Sequence, residues 1–81
     1  MKNLNLILNI DPLFLGSSDN VKAFAHNLNR NIEHMFNVKS EYSLNLIDNN
    51  YHITSEDPFL ELQVSEFIEN NWHNVSPYAN K

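Results

Sequence analysis

Hydrophobic and polar residues alternate along the first ten residues of the chain. The apolar positions are Leu4, Leu6, Leu8 and Ile10, and the polar ones between them are Asn3, Asn5 and Asn9, with Ile7 as an exception. A period of two predicts a half-buried β-strand over residues 2–10. Asp11-Pro12 ends it, because proline has no N–H to donate to a neighbouring strand. Residues 13–15 are then expected to form an apolar loop that Gly16 closes.

The next segment has the period of an α-helix. Its apolar residues recur at helical spacing and form one stripe: Val21, Phe24, Ala25, Leu28, Ile32, Met35 and Phe36. This stripe predicts an amphipathic helix over residues 21–36. Ser17, Ser18 and Asp19 are all residues that favour the N-cap position. The helix is expected to end near Asn37.

Alternation returns after the helix. Tyr42, Leu44 and Leu46 alternate with Ser43 and Asn45, which predicts a second strand. Residues 48–50, Asp-Asn-Asn, tolerate left-handed backbone and are typical of a hairpin turn. A third, short strand would contain Tyr51 and Ile53 and end at residues 55–58.

The last segment allows two interpretations. Asp57 as N-cap and Pro58 as first helical residue predict a helix, and its apolar residues then fall within an arc of about 120°: Leu60, Val64, Phe67, Ile68 and Trp72. Leu62 lies on the opposite side. Alternatively, Leu60, Leu62 and Val64 form a fourth strand and Ser65 caps a shorter helix. We favour the long helix because it accounts for both the Asp57-Pro58 pair and Trp72.

The resulting order, β-α-β-β-α, predicts a small α+β domain over residues 1–75 with a C-terminal tail over residues 76–81. We expect a three-stranded mixed sheet with both helices on one face and the third strand antiparallel between the first two. The alternative order is β-α-β-β-β-α. The uncovered face would carry mostly polar residues: Asn3, Asn5, Ile7, Ser43, Asn45, Ile47 and His52.

Length and composition exclude several classes of protein. The 81 residues suffice for one domain and include no cysteine, so disulfides, thiolate nucleophiles and cysteine-based zinc sites are excluded. The net charge of −5 argues against direct nucleic-acid binding. Asparagines interrupt the apolar N-terminus, so we expect neither a signal peptide nor a membrane segment, and a cytoplasmic protein. The 15 asparagines indicate an AT-rich genome and are compatible with a phage origin, in which case the location is the host cytoplasm.

No motif for catalysis or cofactor binding is present. His26 and His34 lie eight residues apart on the predicted helix, about 12 Å along its axis, too far to share one zinc ion. Gly16 precedes a helix start, but the lysine of a phosphate-binding loop is missing and Asp19 would repel an anion. We therefore expect no enzyme, no catalytic or metal-binding residues and no cofactor.

Charge is distributed unevenly. Residues 1–40 carry four bases and three acids, whereas residues 41–81 carry one base and seven acids. Five of those acids lie at the start of, or along, the last helix, and we call them the acidic ridge: Glu56, Asp57, Glu61, Glu66 and Glu69. Glu61, Glu66 and Glu69 are expected to share its solvent side. The ridge is either a solvated helix face or a surface that complements a basic partner.

Apolar residues outside the two helical stripes could add to such a surface or belong to the core: Phe14, Leu15, Phe59, Leu62 and Tyr78. We expect a non-enzymatic protein that binds another protein through the acidic ridge, Phe14, Leu15 and Tyr78. Its most concrete form is an inhibitor that occludes a basic nucleic-acid-binding surface of its partner, a phage-type, anti-CRISPR-like protein. The alternatives are a homodimeric structural or regulatory adaptor and a small enzyme with its site at an oligomer interface.

Overall fold

A computed structural model describes residues 2–73, with the backbone alone for Trp72 and His73. In chain order the elements are β1 (Lys2–Ile10), α1 (Pro12–Leu15), α2 (Ser18–Phe36), β2 (Val38–Asn45), β3 (Asn49–Ser55) and α3 (Pro58–His73). The three strands form one mixed sheet, so the predicted small α+β fold is confirmed. The predicted tail, residues 76–81, lies outside the described residues.

The strand order differs from the expected one. β1 lies at the centre, with β2 parallel on one side and β3 antiparallel on the other. The expectation that β3 lies between β1 and β2 was wrong. β1 takes the centre because its four inward residues, from Leu4 to Ile10, are all apolar and buried on that face. β2 and β3 present more polar residues, which edge strands tolerate.

The predicted hairpin at residues 48–50 is also wrong, because β2 and β3 do not pair with each other. Their connection, residues 46–48, passes over the end of β1, where the Asp11 amide donates to the Asp48 carbonyl at 2.7 Å. Strands that flank a common neighbour are about 10 Å apart, which four Cα–Cα steps of about 3.8 Å can span. Asp48 adopts a left-handed φ of 53° that lets the chain turn.

The apolar loop expected at residues 13–15 is a single helical turn, α1. Asp11 caps it by accepting a hydrogen bond from the Leu13 amide at 2.9 Å, and Pro12 occupies the first turn, where its missing N–H is tolerated. Gly16 ends the turn at a φ of 92°, a conformation that favours glycine. α1 thereby places Leu15 in the core.

α2 begins and ends as the sequence predicts. Ser17 is the N-cap, and its hydroxyl accepts a hydrogen bond from the Asn20 amide at 3.1 Å. Asn37 is the C-cap in left-handed conformation, which asparagine tolerates better than most residues. Met35 departs from the predicted stripe, because it lies at the stripe's margin and is largely exposed.

α3 is the long helix, and the four-stranded alternative is wrong. Asp57 Oδ1 accepts hydrogen bonds from the amides of Phe59 at 2.9 Å and Leu60 at 3.4 Å, as an N-cap does. Leu60, Val64 and Ile68 are buried on one side of the helix. Leu62 is 60% exposed on the other, as the periodicity predicts.

One hydrophobic core joins the sheet to both long helices. Its buried members are Leu4, Leu6, Leu8, Ile10, Leu15, Val21, Ala25, Leu28, Ile32, Val38, Leu60, Val64 and Ile68. Since β1 contributes only its even-numbered residues, α2 and α3 cover the same face of the sheet. Ser40 and Asn29 are the polar residues buried beside this core.

The outer edge of β2 is occupied by side chains of α2. Glu33 Oε2 accepts a hydrogen bond from the Ser40 amide at 3.1 Å, and Asn29 Nδ2 donates to the Ser40 carbonyl at 3.2 Å. Asn29 is only 8% exposed. Two α2 side chains therefore satisfy both backbone groups at a point where another strand could otherwise pair.

Within residues 2–73, no helix has the combination of length and apolar character needed to cross a bilayer.

Candidate protein-binding surface

The residues of the acidic ridge do not share one role in the structure. Glu56, Glu66 and Glu69 are exposed, whereas Asp57 and Glu61 are half-buried. The sequence predicted that Glu61 shares the solvent side of α3 with Glu66 and Glu69, and for Glu61 this prediction is wrong. Three of the five carboxylates are bound to neighbouring groups of the same chain.

Asp57 anchors the start of α3 to the start of β1. Besides capping the helix, its carboxylate forms an ion pair with the Lys2 ammonium. The Lys2 ammonium lowers the pKa of Asp57, and the helix amides lower it further against the opposing effect of desolvation. The Asp57 carboxylate therefore stabilises the fold through contacts within the chain.

This shift predicts a dependence of stability on pH. Because the folded-state pKa is depressed, Asp57 contributes stability above its unfolded pKa of about 3.9, and the contribution is lost as pH falls through the folded-state value. Asp57→Asn retains a capping side chain but loses the charge. In urea titrations the wild type should be the more stable at neutral pH, and the difference should shrink below about pH 4. An unchanged difference at about pH 2 would contradict this assignment.

Glu61 binds the end of β3. Its Oε1 accepts a hydrogen bond from the Ser55 amide at 2.7 Å. The Ser55 hydroxyl in turn accepts from the Asp57 amide at 3.2 Å and donates to the Asn3 carbonyl at 3.3 Å. Glu61 thus occupies a backbone donor of an edge strand, and its negative charge remains beside that edge.

Glu69 binds Tyr51, which packs beneath α3. The Tyr51 hydroxyl donates to Glu69 Oε1 at 2.6 Å and lies 3.2 Å from the Ser65 hydroxyl. Burial raises the pKa of Tyr51, and the Glu69 carboxylate raises it further. The phenol therefore stays protonated near neutral pH and remains a donor to Glu69.

Glu56 and Glu66 are the two ridge residues without a hydrogen bond or ion pair to any part of the chain that the structure describes. Both are exposed. Their charges are therefore available to a partner without the loss of an internal contact.

The apolar residues predicted to bind a partner lie elsewhere. Leu15 is fully buried in the core, and Phe14 is partly buried and packed against it. Tyr78 lies outside the described residues. A buried side chain cannot form a docking surface, so Leu15 belongs to the core in this fold.

Several other apolar residues are exposed, among them Leu13 in α1 and two neighbours on α3. Phe59 is 76% exposed and Leu62 is 60% exposed, three positions apart and hence on the same side of the helix. Glu66 follows Leu62 by four positions. We call Phe59, Leu62 and Glu66 the α3 outer face. The helical period of the sequence places these residues away from the buried stripe.

The uncovered face of the sheet carries a row of asparagines. Asn45 Nδ2 donates to Asn9 Oδ1 at 2.9 Å, and Asn9 Nδ2 donates to Asn50 Oδ1 at 2.6 Å. The row crosses all three strands in register. Ile7 lies in the same face between Ser43 and His52, whereas Ile47, predicted for this face, lies in the connection after β2.

No group of three histidine, aspartate or glutamate side chains within residues 2–71 is arranged to hold a metal ion. The α3 outer face and the acidic ridge combine exposed apolar side chains with negative charge.

Comparison of the chain with protein-family models, curated protein sequences and solved structures gave no match.

Proposed function

We propose that this is a non-enzymatic protein-binding domain, and that the α3 outer face is its contact surface. The exposure of Phe59 and Leu62 side by side carries the proposal. Neighbouring exposed apolar side chains are typical of interaction sites, and aromatic residues are enriched at the centres of interfaces. The exposed carboxylates of Glu56 and Glu66 add negative charge to this part of the surface.

The partner's surface is proposed to be basic and to bind nucleic acid when free. Residues 49–73 contain five acids and neither lysine nor arginine, and Lys2 offsets one of these charges by pairing with Asp57. A negative surface attracts the lysines and arginines that otherwise contact phosphates. An inhibitor of the phage-type, anti-CRISPR-like kind would act by occupying such a surface.

Competition with nucleic acid tests this function. A partner is first isolated from cells that carry the gene by its retention on the wild-type protein and not on a Phe59→Ala, Leu62→Ala double variant. The purified partner should then lose its DNA or RNA in the presence of wild type and keep it in the presence of the variant. A stable ternary complex with nucleic acid would contradict inhibition. Equal retention on both proteins would exclude the α3 outer face.

Charge variants test the electrostatic part separately. Glu56→Gln with Glu66→Gln removes two negative charges and breaks no hydrogen bond or ion pair within the described residues. The association rate with the isolated partner should fall about threefold to tenfold at low salt, with little change in dissociation. Asp19→Asn with Asp48→Asn is a control of equal charge change away from α3. Rates that fall equally in both would show an effect of net charge alone.

A further inference from the structure

The outer edge of β3 differs from the outer edge of β2 in how it is closed. In β2, Ser40 has both its amide and its carbonyl bound to α2 side chains. In β3, the corresponding side-chain contact within the described part of the chain is that of the Ser55 amide with Glu61. Among residues 2–73, a side chain therefore closes the end of β3, whereas none is hydrogen-bonded to the backbone of Ile53.

The register shows which groups of β3 point outward. Asp11 and Asp48 continue the pairing of β1 with β3, and the Asp11 amide donates to the Asp48 carbonyl. Residues of antiparallel strands alternate between bonding the neighbour and pointing away from it. Even-numbered positions of β3 therefore bond β1, and odd-numbered ones, including Ile53, direct their amide and carbonyl outward. The Ser55 amide, which points to Glu61, agrees with this phase.

A groove runs along this edge. It has a volume of about 390 Å³ and lies between β3, at Tyr51, His52 and Ile53, and α3, at Pro58, Glu61, Leu62 and Ser65. The floor offers the outward backbone groups of β3, and the wall offers the exposed side chain of Leu62. Backbone donors and acceptors beside a wall that combines Leu62 with the polar side chains of Glu61 and Ser65 suit an extended peptide that adds to a sheet.

Charge decides between possible occupants. Residues 49–73 contain five acids and neither lysine nor arginine. A second copy of the chain would bring the same sign to the edge, because each chain has a net charge of −5. An extended segment rich in lysine or arginine would instead meet complementary charge from Glu56, Glu61 and Glu66, which the long stems of those bases can reach.

We infer that the outer edge of β3 takes up an extended basic segment of a partner protein as a fourth strand, in the groove beside α3. The side chains of the added strand that face α3 would be lysines or arginines, whose apolar stems lie against Leu62 and whose charges meet Glu61 and Glu66. The alternate residues would lie on the uncovered face of the sheet. The inference rests on the proposed function, since it specifies how that partner binds. It adds a backbone contact that the α3 outer face alone does not require.

Hydrogen exchange with a synthetic peptide tests the inference. The probe is an acetylated and amidated peptide of about seven alternating lysine and valine residues, the length of a typical strand. With the full chain at about 0.05 M salt, saturating peptide should slow exchange of the Ile53 amide about tenfold or more. The two control peptides have the same sequence with every second backbone nitrogen methylated, in one peptide at the lysines and in the other at the valines. Methylation removes hydrogen-bond donors and keeps the charge. The control peptide whose methylated nitrogens face β3 should bind at least about fivefold more weakly than the unmethylated peptide.

A pair of protein variants tests the groove itself. Leu62→Lys places a positive charge in the groove wall and should weaken binding of the lysine-valine peptide about tenfold. Gln63→Lys makes the same addition of charge at the next residue, which does not line the groove, and should weaken it less than about threefold. Equal losses of peptide affinity in the two variants would contradict binding in this groove.

The remaining outcomes are also decisive. Equal binding of the two methylated peptides would overturn strand addition while leaving an acidic protein-binding surface intact. If the peptide instead protects amides of β2, the added strand lies at the outer edge of β2, and the inference is overturned. Protection of Ile53 in a peptide-free dimer would make the second copy the occupant and overturn the basic segment. Absence of peptide binding would overturn the inference, whereas the proposed function is judged separately by nucleic-acid competition.

Discussion

Leu8→Ala is expected to remove a large part of the protein's free energy of unfolding. Leu8 is 0% exposed and lies on the central strand beneath both long helices. Truncation of a fully buried leucine to alanine lowers the free energy of unfolding by about 3–5 kcal/mol. A domain of 81 residues has a total of only about 4–12 kcal/mol. Circular dichroism and urea titration would measure the loss.

Leu62→Ala is the matched control for this experiment. The substitution is chemically identical, but Leu62 is 60% exposed and leaves no cavity when shortened. Its free energy of unfolding should change by less than about 0.5 kcal/mol. A loss similar to that of Leu8→Ala would mean that residue 62 faces the core and that the orientation of α3 is wrong.

Asn29→Asp is expected to lower the free energy of unfolding to a similar extent, because it places a negative charge in a buried position. Asn29 Nδ2 donates to the buried Ser40 carbonyl, so an aspartate oxygen at that position would face another oxygen. Glu33, one turn later, already directs a carboxylate to the Ser40 amide. A buried carboxylate without a donor lowers the free energy of unfolding by about 3–5 kcal/mol near pH 7.

Mild acid should reverse much of this loss. Protonation restores a donor and removes the charge, so the variant should gain stability relative to wild type as pH falls from about 7 to about 4.5. Asn27→Asp is the control, because Asn27 is exposed on the same helix two residues earlier and its replacement should change stability by less than about 0.5 kcal/mol. If both variants behave alike, Asn29 does not support β2.

The secondary structure was predictable because it depends on periodicity and local caps. The stripe from Val21 to Phe36, the Ser17 cap and the Asp57-Pro58 start all act within a few residues of the chain. The order of the strands was not, because alternation shows which residues face inward and not which strand lies beside which. The four buried apolar residues of β1, against the partly polar β2 and β3, were the available signal for its central place.

The negative charge of the candidate surface could be predicted from the sequence, but the groups that its side chains contact could not. The sequence locates five acids in and before α3, but whether Glu61 reaches solvent or the Ser55 amide depends on where β3 ends in space. Asp57 likewise meets Lys2 across 55 positions of the chain. Leu15 enters the core because one turn of helix redirects it. Such partners are set by tertiary structure, which local patterns do not report.

The central position of β1 also has a consequence for synthesis on the ribosome. β1 is made first, yet Leu4 pairs with Ser40 on one side and with Ser55 on the other. At about 5–20 residues per second, the apolar face of β1 emerges several seconds before its last partner. The nascent strand is therefore a site where a chaperone or another chain can bind. Slowed translation between residues 10 and 55 should therefore lower the yield of folded protein.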